Sequence, residues 1–461
     1  MQKKFKKAVL AAMPAIIGGL YAGVAGAAGF QLLEQNASGL GTAYAGSAAV
    51  AEDASTVFFN PAGMAFLPQG KKNVTIGVDA IKPTANFSNG GSTAPGLQAL
   101  RGDNGGDAGD IAGVPHAYFT LPINAQMVFG MGVGAPFGLK TEYNSGWDGR
   151  FQAIKSEVKT YNFNPSLSYK INEAVAVGIG ADYQHIKGEF SSAANYAGSV
   201  FQAVSAGALG AAAIPGAPTL AAAAGEGMGT ITGSDSAWGY NLGAMFQVTP
   251  ATRLGMSYRS SIKYHLTGTA NFSQTANATV NAILGSPTSP ARGGVIYADI
   301  KMPDTFIVSG LHHVNDKWDL MGDVSFTGWS KIPDLTFKYT NNDSIVSTTK
   351  ENWRNTWRAA IGASYKYNEQ WKARAGLAYD QTPVPDANRT PRLPDNDRTW
   401  LSVGGQYKPN KDSAIDVGYA HLFVKNGSIN NNAGSAAAYG LLQGSYSNSV
   451  DILGAQYSIA F

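Results

Sequence analysis

From Asn73 onward the chain repeats one pattern: apolar and polar residues alternate over about 8 to 12 positions, and turn residues follow. In WKARAGLAYD, Trp371, Ala373, Ala375, Leu377 and Tyr379 share one face, and Lys372, Arg374, Gly376, Ala378 and Asp380 share the other. WDLMGDVSF sets Trp318, Leu320, Val324 and Phe326 against Asp319, Asp323 and Ser325. TRLGMSYRSSIKYHL sets Leu254, Met256, Tyr258, Ile262 and Tyr264 against Arg253, Arg259, Lys263 and His265. Successive side chains of a strand point to opposite faces, so each segment is a strand with one apolar and one polar face. In a soluble sandwich two aromatic faces would cover each other. Here nearly every strand repeats the pattern and no second apolar layer remains, so lipid is the partner and the sheet must close on itself.

The spacing predicts about fourteen strands, starting near Val74, His116, Met127, Lys159, Ala174, Trp238, Thr252, Val295, Trp318, Trp357, Trp371, Thr399, Ser413 and Ser449. An even number suits a single-chain bacterial barrel, and the Trp and Tyr residues at many strand ends suit girdles at the two interfaces. Connections alternate in length. PINAQ, KINEA, TPAT, VNDK, YNEQ and KPNKD are short polar turns, and the intervening linkers 89–112, 139–157, 191–235, 270–293, 330–352, 381–398 and 424–448 are long. Short periplasmic turns opposite long outer loops are the topology of outer-membrane barrels. The final YSIAF, with Tyr457, Ile459 and Phe461 on one face, resembles a barrel assembly signal. The fold expected is therefore all-β, a transmembrane antiparallel β-barrel over residues 71–461, multi-pass in a Gram-negative outer membrane.

Composition agrees. Charged residues are 14% of the chain, Gly reaches 56, and the 21 Tyr and 20 Phe are offset by enough polar residues to keep mean hydropathy at −0.11. A bundle of membrane helices would be far more hydrophobic. With no cysteine, disulfides and thiolate metal sites are excluded. Lys3, Lys4, Lys6 and Lys7 precede an apolar stretch and the small-residue run Ala25-Gly26-Ala27, which reads as a signal peptide over residues 1–27. A membrane anchor is the weaker alternative, because this segment is short and rich in Gly, Ala and Pro14. Cleavage before Ala28 leaves 30 basic against 31 acidic residues, so the formal charge moves from +3 to −1 and gives no reason to expect nucleic acid.

Residues 28–70 do not alternate. SGLGTAYAGSAAVAE is rich in helix-compatible small residues, and Asn60-Pro61-Ala62 reads as an N-cap followed by Pro at the first helical position. A compact segment before the first strand fits inside a lumen as a small helical hatch. Glycines on inward faces (Gly130, Gly132 and Gly134, or Gly178 and Gly180) leave room for it. AGFQLLEQNASGLGTAYAGSAAVAEDASTVFFNPAGM, beginning at Ala28, resembles the N-terminal hatch of the FadL family of outer-membrane transporters. DQTPVPDANRTPRLPDNDRTWLSVG, Asp380 to Gly404, is similar to that family's second hallmark. The resemblance covers essentially the whole chain after the signal segment and is weakest in the central outer loops.

The resemblance implies capture of hydrophobic molecules by outer loops, an interior binding site, and release through the wall when the hatch rearranges. It assigns Phe30, Asn60, Pro61 and Ala62 to the hatch or gate. It also implies a kink in the third strand at Pro136, Phe137 and Gly138, where Pro cannot donate to a ladder and Gly tolerates unusual backbone angles; the plainer alternative is that the strand simply stops there. The uncharged linker NYAGSVFQAVSAGALGAAAIPGAPTLAAAAG, with Val200, Phe201, Val204, Leu209 and Leu220, is expected to form part of the capture groove, with low-complexity filler as the alternative. A carboxylate head group needs a cation. Alternation across ENWRNTWRAAIG puts Arg354 inward with Arg358, at a position where the family has a basic ligand residue. Lys187 aligns with a second such position, although strict alternation turns it outward unless a bulge intervenes, and His185 is its neighbour.

Catalytic chemistry has no signature. Nucleophile elbows, phosphate-binding loops and paired-His helices are absent, and His312 and His313 point to opposite faces of a strand. DNGGDAGD, Asp103 to Asp110, reads as a solvated acidic turn, with a weak calcium site in an outer loop as the alternative. The expectation is a channel, with no enzymatic activity, metal or cofactor, for facilitated uptake of long-chain fatty acids, monomeric and surrounded by outer-membrane lipid and lipopolysaccharide. Aromatic or aliphatic hydrocarbon uptake and an adhesive or structural barrel are the alternatives.

Overall fold

The computed structural model describes residues 29–286, 289 and 291–461, so the signal segment and its boundary at Ala28 lie outside the described residues. Twenty hydrogen-bonded segments form one antiparallel sheet. They make fourteen wall strands, because six of these are each interrupted once. Single segments are β1 (Asn73–Asn89), β2 (Ala112–Pro122), β5 (Lys155–Lys170), β6 (Val175–Ala194), β7 (Gly227–Thr249), β16 (Trp371–Asp380), β17 (Arg398–Asn410) and β20 (Leu442–Ala460). The interrupted ones are β3 with β4 (Met127–Gly134, Gly138–Glu142), β8 with β9 (Thr252–Arg259, Ile262–Phe272), and β10 with β11 (Gly294–Met302, Thr305–His313). The others are β12 with β13 (Trp318–Thr327, Asp334–Tyr339), β14 with β15 (Ile345–Lys350, Thr356–Lys366), and β18 with β19 (Ser413–Val424, Gly427–Asn431). The barrel closes between β20 and β1, from Asn73 opposite Ala460 to Asn89 opposite Gly444. No described helix is long and apolar enough to cross a membrane; the strands do the crossing.

The membrane half follows the alternation. Along β16, Trp371, Ala373, Ala375, Leu377 and Tyr379 are exposed to the outside and Arg374, Gly376, Ala378 and Asp380 are buried inside. Strands are longer than expected at the outer end. β7 has 23 residues where about 9–11 cross a bilayer, so the wall rises well beyond the hydrocarbon. Trp238 therefore marks the interface within a strand and not the strand's start at Gly227. In the same way the linker 330–352 is largely the hairpin of β13 and β14, and 424–448 holds β19 and the start of β20.

Above the membrane half, the face pattern inverts. Leu254 and Met256 face outward, but Ile262, Tyr264 and Leu266 are buried inward, while Lys263 and His265 are exposed. The expectation that Ile262 and Tyr264 share the face of Leu254 is thus corrected. Between β8 and β9 the ladder is broken at Ser260, whose hydroxyl accepts from the Tyr240 N–H at 2.9 Å, and a one-residue slip moves every later side chain to the opposite face. The same inversion separates outward Phe306 and Val308 on β11 from inward Met302, Ala298 and Ile296 on β10. The upper lumen is consequently apolar and its outer surface polar, the reverse of the membrane half.

Residues 29–67 fill the lumen as the hatch. Asn60 behaves as expected: its side chain accepts from the Ala62 N–H at 3.1 Å and caps the 3₁₀ turn Pro61–Phe66, with Pro61 at the first position. Its amide also donates to the wall carbonyl of Ala244 at 3.1 Å. A Cβ on Gly178 or Gly243 would collide with Asn60, Pro61 or Ala62, and one on Gly130 with Val57 and Met64. These wall glycines let the hatch backbone approach the sheet directly.

Candidate ligand chamber and its hatch

In the upper lumen an apolar chamber is lined by Phe30, Leu139, Ile186, Phe190, Leu266 and Trp353, with Arg392 and Glu351 among its walls. Its floor is an aromatic cluster. Phe30 of the hatch lies with its ring centroid 5.9 Å from Phe137, 5.2 Å from Trp329 and 5.7 Å from Trp353. The free volume is about 60 Å³, well under the ~150 Å³ that admits benzene, so a ligand enters only by displacing side chains.

Arg392 comes from the outer loop between β16 and β17. Its guanidinium donates to Ser156 Oγ at 3.0 Å and lies 5.5 Å from the Phe190 ring. Burial pulls this guanidinium down to about 10, against the pull of Glu351. Glu351, in the irregular connection between β14 and β15, is pushed up to about 7 by burial, with Trp353 and Arg392 pulling the other way.

None of the three head-group candidates faces the chamber, and the inward reading of Arg354 is corrected. Arg354 is exposed on the outside, its guanidinium 3.6 Å from Asp397 and its Nε donating to the Thr382 carbonyl. The reason is local: alternation runs on through Asn352, with Glu351 and Trp353 buried and Arg354 exposed, and it slips at Asn355, which is exposed like Arg354 before Thr356 turns inward. Lys187 faces outward because β6 keeps its period there, with Ile186 buried inward and no bulge. His185 lies on the same outer face and meets Ser236 Oγ at 2.9 Å. Arg392 was missed because a loop has no period to read. The available signal was an arginine set between prolines, Pro391-Arg392-Leu393-Pro394, within the second hallmark segment.

The strand break is present at the expected place. β3 stops at Gly134 and β4 resumes at Gly138, with Pro136 and Phe137 between. β2 pairs with β1 along Ala112–Thr120 but with β3 only along Ala117–Pro122, and β4 pairs with β5. Among the described residues, β2 from Ala112 to His116 therefore lacks a strand on its second edge, and the wall is open between it and β4. The backbone freed by the break turns inward to the hatch. Leu32 N–H donates to the Pro136 carbonyl at 2.8 Å, and Gly138 N–H to the Phe30 carbonyl at 2.9 Å. Thr160 accepts from the Phe137 N–H at 2.9 Å and donates to its carbonyl at 2.7 Å. No buried amide of the kink is wasted.

This architecture, a plugged barrel with a side opening and an apolar upper chamber, has known counterparts. The family described as "Outer membrane protein transport protein (OMPP1/FadL/TodX)" matches residues 18–461. The chain belongs to the FadL family. It is 32% identical over 434 residues to the "Long-chain fatty acid transport protein" of Salmonella typhi, covering 92% of this chain and 93% of the relative. The crystal structure of a Pseudomonas aeruginosa FadL homologue superimposes with a TM-score of 0.81 at 28% identity, covering 94% of this chain and 99% of that one. The Ralstonia pickettii toluene transporter TbuX shares the fold at a TM-score of 0.61 and 20% identity, over 92% and 99% of the two chains. As a FadL-family barrel the protein is an outer-membrane transporter of hydrophobic compounds of Gram-negative bacteria, and not an enzyme.

The FadL-family hatch is held to the wall by ion pairs on its periplasmic side. Glu52 meets Lys372 at 2.7 Å and Arg374 at 2.8 Å, and Arg374 also pairs with Asp416 at 2.6 Å. Although burial opposes it, the nearby Arg374 and Lys372 hold the Glu52 carboxyl well below the usual carboxylate range. These residues border a polar cavity of about 330 Å³ beneath the hatch. The apolar chamber above and the polar cavity below are separated by the hatch itself.

The expected capture loop is folded rather than low-complexity filler. Asn195 caps the helix Tyr196–Ser205 by accepting from the Gly198 N–H, and a second helix, Ala217–Ala224, packs against it. Val200 and Val204 are buried between these and the helix Ala278–Leu284 of the next outer loop, with Leu220 half-buried beside them. They form a small core, and so cannot contact ligand directly in this state. Phe201 and Leu209 remain exposed.

Proposed function

We propose that the protein takes up long-chain fatty acids, binding the acyl chain in the upper chamber and the carboxylate at Arg392, and releasing the ligand sideways between β2 and β4. The observation that carries this reading is a half-buried arginine, Arg392, on a chamber wall that is apolar apart from it and Glu351. A hydrocarbon gains nothing from it, whereas a carboxylate gains a charge-assisted, bidentate partner at low dielectric. Burying a methylene contributes about 0.8 kcal/mol, so some twelve carbons supply most of the affinity and the arginine supplies selection for an acid. The relative named as a long-chain fatty acid transport protein supports the acid over the aromatic hydrocarbon named for TbuX.

Glu351 sets the pH dependence. Below about pH 7 it is protonated and leaves Arg392 to the ligand; above that value it ionises and competes. Affinity for dodecanesulfonate, which stays charged throughout, is expected to fall from pH 6 to pH 8, and Glu351→Gln to flatten the profile. Titrating both proteins by calorimetry checks this; a flat wild-type profile would remove Glu351 from the account.

Release requires the hatch to leave the kink. Three non-glycine hatch residues, Ala43, Tyr44 and Ala51, hold left-handed φ angles of 51°, 57° and 46°, a strain of about 1–3 kcal/mol each that a rearrangement relieves. Gln31 and Phe137 face each other in an isolated antiparallel bridge, close enough for a disulfide. Gln31→Cys with Phe137→Cys, oxidised, is expected to abolish transport of oleate into cells while a reductant restores it. Transport that continues through the oxidised protein would place the exit elsewhere.

A further inference from the structure

The inverted face pattern leaves a basic panel on the outside of the barrel, just above the aromatic girdle. Lys187 on β6, Lys263 on β9, Lys301 on β10 and Lys338 on β13 all alternate with buried neighbours and point away from the lumen. β6, β7, β9, β10 and β13 are consecutive in the sheet, so the four lysines occupy one continuous face. Two pairs of lysines are opposed in register, Lys263 to Lys301 across β9 and β10, and Lys187 to Lys159 across β6 and β5. Like charges directly opposite one another destabilise a sheet. Lys159 is relieved by Glu157 at 2.9 Å. Among the described residues, Lys187, Lys263, Lys301 and Lys338 have no ion pair.

The neighbouring acids are committed elsewhere. Asp299 meets His265 Nδ1 at 3.0 Å, Asp235 accepts from the His265 N–H, Glu189 holds Lys155 at 2.9 Å, and Asp343 accepts from Tyr297. One register row runs Lys187, Ser234, Thr267, Tyr297, Lys338, which sets three hydroxyl-bearing residues between two cations. Directly below lie the girdle residues Tyr183 and Trp238, their rings 5.0 Å apart, with Trp238 66% exposed. Apolar wall, aromatic belt, then lysines with hydroxyls: the surface matches acyl chains below and a phosphorylated sugar head group above.

We propose that this panel docks the phosphorylated glucosamine headgroup of lipopolysaccharide in the outer leaflet, with Lys263 and Lys301 clamping one phosphate and the Lys187 to Lys338 row holding the sugar. The bound phosphate would remove the Lys263–Lys301 repulsion, and the glycolipid would seat the barrel at a fixed depth with its loops above the sugar layer.

The test uses the full barrel folded in detergent, with binding followed by native mass spectrometry and calorimetry. Phosphorylated lipid A is expected to bind about tenfold or more tightly than dephosphorylated lipid A, because each lysine near an anionic surface adds to the attraction. Lys263→Ser with Lys301→Ser is expected to lose that preference, and Lys263→Arg with Lys301→Arg to keep it. Lys317→Ser with Lys411→Ser, the same charge change on periplasmic turns, is expected to leave it intact. Equal binding of the two lipids to the wild-type barrel overturns the proposal, and this comparison needs no variant to fold. So does an unchanged preference in the Lys263→Ser, Lys301→Ser protein. Displacement of lipid A by millimolar inorganic phosphate would assign the panel to a free anion and likewise overturn it.

Discussion

Replacing Arg392 with Ala is expected to weaken oleate binding by at least about thirtyfold, the equivalent of about 2 kcal/mol, while leaving octadecane binding unweakened. The arginine is half-buried at one side of a chamber whose other walls are almost all apolar. Without it a carboxylate would lose its water and gain no counter-charge, and burial of an unpaired charge is prohibitive. Glu351 would also be left without its one nearby cation, which raises the cost of bringing a second carboxylate beside it. The alkane carries no charge and should gain, if anything, from the added apolar surface. Calorimetry with both ligands on both proteins measures the difference directly. Parallel losses for acid and alkane would mean that Arg392 supports the loop rather than the head group. Arg354→Ala serves as the matched control, since its guanidinium lies outside the barrel.

Arg374→Ala should open the channel. Arg374 is nearly wholly buried between Glu52 of the hatch and Asp416 of the wall. Removing one partner of such a buried network typically costs about 3–5 kcal/mol, because the remaining charges stay buried without compensation. The barrel has long ladders on every side and should survive. The hatch is fixed by far fewer contacts, and Glu52 would be drawn away from a wall that still carries Asp416. The expected result is a folded barrel, resistant to detergent at room temperature, whose conductance in planar bilayers rises severalfold and whose hatch becomes open to protease. An unchanged conductance with a protected hatch would show that the glycine-lined contacts hold it alone. Gly376→Val probes those contacts from the other side, since a Cβ there would strike the backbone of Thr42.

What could be read from the sequence followed from periodicity. Trp371 to Asp380 kept its two faces, and the hatch was legible because Asn60-Pro61 carries its own capping chemistry and because Gly130 and Gly178 have no reason to face inward except to admit another backbone. Lys187 was correctly turned outward by strict alternation. Reading failed where one residue slipped. Ser260 and Asn355 each reset the phase, and neither a serine nor an asparagine announces a slip, so Ile262, Tyr264 and Arg354 were assigned to the wrong faces. The Ala-rich outer loop hid its helix for another reason: small residues blur the contrast, although Tyr196, Val200 and Val204 at four-residue spacing behind Asn195 do carry the signal. Arg392 lies in a loop, where position is set by packing between distant strands.

The most direct test of the central claim is uptake of radiolabelled oleate by Gram-negative cells that lack their own long-chain fatty acid transporter and express this chain in the outer membrane. Uptake restored by the wild-type chain, and lost with Arg392→Ala although the barrel is folded and surface-exposed, is the predicted result. Failure to restore oleate uptake, with toluene entry accelerated instead, would contradict the fatty acid reading and make the chamber a hydrocarbon site.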